Sequence, residues 1–583
     1  MTSIRKLHLA LIAALCFLCF FFRLGSAGLF DFNEGLYTEI AREMYLRHDI
    51  VTPVSNGTIW YDKPPLAMWC DELSFAIFGI SEFAARLPVA ISATLLVLLT
   101  WWFGVKYFSD RTGLIAAAML AFSPIYLGTA RQMTMDIHQS WFVGLAMVCY
   151  ILAYLHPEKR WKLLYYPMWI ACGLGFMAKS VPGLLPIPLA FLFLLINERW
   201  NLREIANRVW ESKPIPGVLL LLLIIAPWHY MMFREHGMQF YEQYYIHHHV
   251  DLLLGKDFSH VQPFWYYIPL LLVGFFPWGF FLPFALAKKS DPENHPRDYP
   301  IVRRFVFIWG IATVLLFSLM KSKLISYLLP MYPAAALITA EWMDSILETS
   351  KERGYRIGSI IIAALSIALY AFGYHFFHAI DGTAKGARIY QDAPRPLFLF
   401  GLDVLMIFML GFVLSALLEL FGKRKLSVAS MFGALTVFAL FSFTEGLNVA
   451  QASYNEPLQS LAKMAGAKML QGYPLAVYIA RPVRPSIYFY LPKRIYETNK
   501  PPVYGRQGIV TEASELHTMQ RFLATNRPSY ILTDTRHFPA LSKAEPDLTI
   551  TAQHGRWMLV HAHRIPPSSN SSPKSSENPE MMK

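Results

Sequence analysis

The feature that most restricts what this chain can fold into is a succession of apolar runs. About thirteen stretches of roughly 17–25 residues, each long enough to cross a bilayer core of ~30 Å as a helix, follow one another up to residue 446. They lie near 7–23, 84–105, 112–128, 138–155, 163–178, 181–197, 215–233, 264–287, 304–320, 324–343, 357–377, 396–420 and 426–446. A helix satisfies its own backbone polar groups in lipid, so these runs predict a polytopic α-helical membrane protein. Composition agrees. Of the 583 residues, 55% are hydrophobic and 16% charged, against roughly 25% charged in a soluble domain.

Basic residues set the orientation. Arg5/Lys6, Lys106/Arg111, Lys159/Arg160/Lys162, Arg199/Arg203/Arg208/Lys213, Lys288/Lys289/Arg303/Arg304, Lys351/Arg353/Arg356 and Lys423/Arg424/Lys425 fall in alternate loops. The positive-inside rule makes those loops cytoplasmic. The net charge of +12 is then largely topology and calls for no nucleic-acid partner. An odd number of spans puts the region beyond 446 on the outer side. Arg5/Lys6 ahead of an apolar run imitate a signal peptide, but Arg23 interrupts the approach to the small residues of "GSAG", so the first run reads as an uncleaved span. Five cysteines are too few for a disulfide framework, and Cys16 and Cys19 read as packing residues inside an apolar helix.

Residues 1–446 form the transmembrane domain, with outer loops over 24–83, 234–263 and 378–395. In the first loop Leu36, Ile40 and Met44 recur at helical spacing, which predicts an amphipathic helix along the membrane interface. A second is expected over "PLAMWCDELSFAIFG". Beyond 446, "LAVYIA", "SIYFYL", "SYILTD" and "WMLVHAH" read as strands, with helices over "PLQSLAKMAGAKMLQG" and "EASELHTMQRFLATN" between them. Residues 447–565 are thus expected to form a small outer α/β domain. The polar stretch 566–583 reads as a disordered tail. No Walker loop, H-E-x-x-H or G-x-S-x-G occurs, which removes the cheapest support for an ATPase, zinc protease or α/β-hydrolase.

Ionisable residues remain at the outer ends of the spans: Glu34, Asp62, Lys63, Asp136, Lys179, Lys321 and Lys323. Positive charge on that side opposes the topological bias, and charge at a membrane boundary is costly unless paired or functional. Lysines with a few carboxylates, gathered from distant loops, suit a phosphate-bearing lipid.

"NEGLYTEIAREM", "WYDKPPLAMW", "MDIHQSWF", "FMAKSVPGLLP", "HHHVDLLLGKDFSHVQPFWYY" and "KSKLISYLLPMYP" stand in the order and spacing of the membrane glycosyltransferases. The chain resembles the bacterial branch of the protein mannosyltransferase superfamily, most of all the lipid A aminoarabinose transferases. That resemblance implies a GT-C fold with an inverting site on the periplasmic face of the inner membrane. It also implies a polyprenyl-phosphate sugar as donor, and a glycolipid such as lipid A, a glycan or a protein as acceptor.

The family's first loop usually reads Asp-Glu, the Asp being catalytic; here Asn33-Glu34 stands there. An amide takes up no proton near neutral pH. Either Glu34 takes over, or Asp31 swings in, or Asn33 only orients the acceptor. Against a catalytic Glu34 stands a capping box, Asp31 with Glu34, at the start of a helix. Leu36 replaces an Arg of the lipid A enzymes. Asp136 matches the second family carboxylate, the alternative being a helix cap. Lys63, Lys179, Lys321 and Lys323 match lysines that bind donor phosphate, the alternative being snorkelling. Tyr37, Arg42 and Tyr327 complete the expected substrate-binding set. Asp62 and His249 match positions that can hold a divalent metal, with His247 and His248 as further ligands. The rival readings are a polyprenyl-lipid flippase, for which internal repeats are missing, and a non-catalytic membrane scaffold.

Overall fold

The computed structural model describes residues 3–251, 261–288, 296–347, 353–383, 394–479, 484–491, 511–513 and 515–563. The expected tail 566–583 and parts of the loops 234–263 and 378–395 lie outside them. Two compact units emerge: Met1–Glu456 with Arg484–Phe489, and Pro457–Val483 with Tyr490–Lys583. The boundary thus falls at Glu456 rather than 446.

In the first unit every apolar run is helical over most of its length. Among the described residues eight helices are long and apolar enough to cross a membrane, or nine if Phe264–Gly274 and Trp278–Ala287, bent by 120°, count as one span. The runs at 112–128, 163–178, 181–197 and 324–343 give shorter helices, Asp110–Phe122, Tyr165–Lys179, Pro186–Asn197 and Tyr332–Leu347. Prolines break these runs: Pro124 and Pro186 each open a new helix, where a missing N–H does no harm.

Helix α1 (Ser3–Cys16) is followed after the first loop by α2 (Asn33–Arg47), α3 (Leu66–Phe78), α4 (Glu82–Tyr107) and α5 (Asp110–Phe122). Ser81 and Ser109 cap α4 and α5, accepting the Ala84 and Thr112 N–H at 3.2 and 2.8 Å. The two helices approach so closely that a Cβ on Gly104 would stand 2.7 Å from the Gly113 Cα. Around them Trp278, Trp309, Tyr126, Tyr299 and Phe305 fill one apolar core.

The first loop departs from expectation. α2 does not lie as an amphipathic helix along an interface, because Glu34, Thr38, Glu39, Arg42 and Glu43 are buried along with Ile40, Ala41 and Met44. Its charges can be enclosed because each finds a partner inside: Glu39 pairs with Arg42, and Glu34 with Arg86 of α4. Its apolar side packs on Met68 and Phe75 of α3. α2 stops at His48, whose left-handed backbone (φ 54°) closes the helix end. Asn56 and Gly57, at φ 48° and 77°, then turn the chain between β1 (Val54–Ser55) and β2 (Thr58–Ile59), the Asn-Gly signal of a tight hairpin. Glu43 accepts the Asn56 N–H at 2.7 Å, so the helix carries the hairpin that presents "WYDKPP".

The second unit has a five-stranded sheet in the order β4-β3-β5-β7-β6, from β3 (Leu475–Tyr478), β4 (Thr511–Ala513), β5 (Ser529–Asp534), β6 (Leu548–His554) and β7 (Trp557–Ala562). β3 runs parallel to β4 and β5, while β7 is antiparallel to β5 and β6. Met519, Leu523, Ile531, Leu541 and Val560 lie in its core. "SIYFYL", expected as a strand, instead contributes the short helix Ser486–Phe489, which belongs to the first unit and docks on α2. Contact with α2 overrides the strand propensity of its Ile, Tyr and Phe.

Candidate active site

Five elements bring the expected residues together. Asp62 and Lys63 follow β2, Asp136 is the second residue of the Met135–Leu155 helix, Lys179 ends the Tyr165–Lys179 helix, and Tyr327 lies in the turn Ile325–Met331. The Lys179 ammonium pairs with Asp136 and sits 4.7 Å from the centre of the Tyr327 ring. Asp136 does not cap its helix; its carboxylate reaches the lysine instead. Lys63 pairs with Asp62, and His248 Nδ1 lies 3.0 Å from the same carboxylate. Burial alone would raise the Asp62 carboxyl, but His248 and Lys63 outweigh it and hold it below the usual carboxylate range. Tyr37 of α2 faces the cluster. Burial, then the charges of Asp62 and Asp136, push its hydroxyl above the ordinary phenol value. The side chains of Asp136 and Asp62 keep 13% and 28% exposure, so both carboxylates remain reachable.

Glu34 is held differently. Its Oε1 accepts from Arg86 Nε (2.7 Å) and the Met133 N–H (3.2 Å), and its Oε2 from Arg86 Nη2 (2.9 Å) and the Phe30 N–H (2.7 Å). Arg86 also donates to the carbonyls of Leu24, Ala27 and Gly28. The capping box does not form, because Asp31 turns away to accept from the Ser486 backbone N–H (3.0 Å) and hydroxyl (2.6 Å). Burial raises the Asp31 carboxyl, with the Ser486 bonds and Arg484 pulling the other way. Arg42 donates to Glu39 and to the Tyr488 carbonyl at 2.9 Å, which ties the Ser486–Phe489 helix down. Asn33 is exposed at the head of α2.

The four lysines do not converge. Lys63 and Lys179 stand in the cluster, whereas the buried Lys323 donates to the carbonyls of Gln262 and Met320. Lys321 is exposed, its carbonyl accepting from the Gln262 N–H at 3.3 Å. Nor does His249 meet Asp62: its ring nitrogens contact the Tyr244 carbonyl and the Ser180 hydroxyl, and His248 takes the place expected for it. Among the described residues no three His, Cys, Asp or Glu are grouped to hold a metal.

Arg86 was missed in the sequence. A lone arginine near the start of an apolar run, in "EFAARLPVAI", calls for a carboxylate partner, and that rule would have found it. Ser180 and Tyr244 carried no such signal, and His248 stood only as a further metal ligand.

Residues 62–231 match the family model of dolichyl-phosphate-mannose-protein mannosyltransferases. The chain is 29% identical over 402 residues to an undecaprenyl phosphate-alpha-4-amino-4-deoxy-L-arabinose arabinosyl transferase of Pectobacterium atrosepticum, covering 65% of this chain and 68% of that one. An enzyme of the same name from Pseudomonas aeruginosa is 28% identical over 380 residues, covering 64% and 65%, so the aligned part spans about two thirds of these relatives. The fold superimposes on ArnT from Cupriavidus metallidurans bound to undecaprenyl phosphate with a TM-score of 0.74 at 20% identity, over 98% of this chain and 99% of that one. An apo oligosaccharyltransferase from Archaeoglobus fulgidus gives a TM-score of 0.50 at 12% identity, over 92% and 71%. With a shared fold and this run of relatives, the chain is similar to the undecaprenyl-phosphate-dependent arabinosyl transferases and, over residues 62–231, to the dolichyl-phosphate-mannose-protein mannosyltransferases.

Proposed function

We propose that the chain moves a sugar from a polyprenyl-phosphate donor to an acceptor on the periplasmic face of the inner membrane. The single observation that carries this reading is the meeting of Asp62, Lys63, Asp136 and Lys179, with Tyr37 and Tyr327, at one end of the helices. Two lysines beside reachable carboxylates can bind a lipid phosphate and still leave an acid to handle the acceptor. The undecaprenyl phosphate bound by the Cupriavidus ArnT supports the same class of donor here.

In the displacement, the acceptor oxygen forms a bond to the anomeric carbon from the face opposite the phosphate. The bond from that carbon to the phosphate oxygen breaks, and its electron pair leaves on the polyprenyl phosphate. Lys63 and Lys179 stabilise that growing negative charge. A hydroxyl acceptor gives its proton to Asp136; a phosphate acceptor has none to give, and Asp136 then only orients it. Glu34 has donors on both oxygens, so it acts as scaffold for the loop rather than as base. For a divalent ion, Asp62 and His248 offer two donors, short of a full ligand set, and no step is routed through a metal. Lipid A, another glycolipid, a glycan or a protein all fit this chemistry as acceptor.

The test is release of polyprenyl phosphate from extracted native lipid donors by purified protein. Wild type should turn donor over, and Asp136→Asn should lose roughly 10²–10³-fold in rate while still folding and binding donor. Full activity in Asp136→Asn, or no turnover by wild type with any native lipid donor, would overturn the reading.

A further inference from the structure

Away from the acid–lysine cluster, an apolar crevice of about 520 Å³ opens between α1, α5 and the Arg424–Phe441 helix. Leu15, Ala118, Phe122 and Phe432 line its length, and Arg111 and Lys425 are its basic residues. Those two open their helices, standing in the first turns of α5 and of the Arg424–Phe441 helix. Along α5 the crevice runs from Arg111 to Phe122, a rise of ~16 Å. That is about half of a ~30 Å hydrocarbon core, the depth of one leaflet. α4 starts beside the first loop and α5 returns toward it, so Arg111 marks the end of the hairpin away from Asp62 and Asp136. The basic end therefore belongs to the loops that charge assigns to the cytoplasm.

The neighbouring charges leave a positive surplus there. Asp344 meets Arg111 at 3.2 Å and also accepts from Ser109 and Thr112. Asp110 is used by Arg5 at 2.9 Å and Glu419 by Arg424 at 2.5 Å. Lys423 and Lys425 have no carboxylate partner among the described residues. An apolar slot one leaflet deep, ending in unneutralised cationic charge, matches an acyl chain below an anionic headgroup. The donor lipid is a poor occupant, because its phosphate would lie at the wrong end of α5 for Lys63 and Lys179.

We propose that this crevice binds an anionic glycerophospholipid of the cytoplasmic leaflet, one acyl chain lying along α5 and its phosphate against Lys425 and Arg111. The site is independent of the transfer reaction and stands or falls without it.

The protein, exchanged into nanodiscs of equal phosphatidylglycerol and phosphatidylcholine and released for native mass spectrometry, should retain phosphatidylglycerol in preference. Lys425→Glu, a change at an exposed position, should cut that preference roughly tenfold. Ala118→Phe fills the slot without touching the charges and should lose retained lipid of both kinds. Equal retention of the two lipids by wild type, retention in Lys425→Glu as in wild type, or a lipid-free dimer seated on this face would each overturn the proposal.

Discussion

Glu34 and Asp136 are both membrane-boundary carboxylates paired with a cation, yet they sit in opposite conditions. The Glu34–Arg86 pair is shut away, with side-chain exposures of 1% and 3% and donors on both carboxylate oxygens. The Asp136–Lys179 pair is largely enclosed but keeps 13% exposure at the carboxylate, and Asp62–Lys63 beside it is more open, at 28% and 23%. A buried charge whose lone pairs are all used can only hold a shape. A charge with hydrogen-bonding capacity left over can exchange its partner for a ligand. The clamp on α2 is thus what keeps the open cluster in register, since α2 carries both Tyr37 and the Glu43 anchor of the Asp62 hairpin.

Breaking the clamp should have the largest effect. Arg86→Ala strands Glu34 in the interior and should cost about 3–5 kcal/mol, read as a fall in thermal stability with activity lost alongside. A variant as stable as wild type would erase the contrast between the two pairs. Asp136→Asn removes the partner of Lys179 but keeps a hydrogen-bonding amide beside it, so it should lower the melting temperature less than Arg86→Ala does while turnover falls as given above. Lys63→Ala should weaken binding of undecaprenyl phosphate roughly tenfold, the scale of one charge-assisted hydrogen bond, measured by titration in detergent; unchanged affinity would take Lys63 out of the phosphate site.

A pH series sharpens the comparison further. The folded-state value of Asp62 is depressed, so the stability it contributes is present above its unfolded pKa of about 3.9 and is lost as pH falls through the depressed value. Asp62→Asn should therefore lower the melting temperature at pH 7 and converge with wild type in strong acid. A gap that widens on acidification would contradict the sign. The smallest effect is expected from Asn33→Asp, which restores the family's acidic residue at an exposed helix start. It should add about 0.3–1 kcal/mol through the helix dipole and change turnover less than twofold. A large gain in rate would move the base from Asp136 to residue 33.

Much of this was legible in the chain. Every apolar run came out helical over most of its length, because in lipid a long apolar segment has little choice but to be helical. Motif order pointed to the family, and Asp62, Lys63, Asp136, Lys179, Tyr37 and Tyr327 were named before their meeting was visible. Other assignments failed where the deciding partner is remote in sequence. α2 read as an interfacial helix because its charges look solvated until Arg86 is seen beside Glu34. "SIYFYL" read as a strand because nothing local reveals its docking on α2 through Asp31 and Arg42.

What the sequence by itself determined was the apolar helical runs, their sidedness from loop charge, three of the five strands of the second unit's sheet and a family resemblance. These rest on local composition and periodicity, which act over a few turns of chain. Only the tertiary structure decided which charges are enclosed and which keep exposure: Glu34 closed by Arg86, Lys323 spent on backbone carbonyls, His248 rather than His249 on Asp62. Those outcomes depend on which remote donor reaches each oxygen first. A carboxylate's role follows from how many of its lone pairs the fold has already filled.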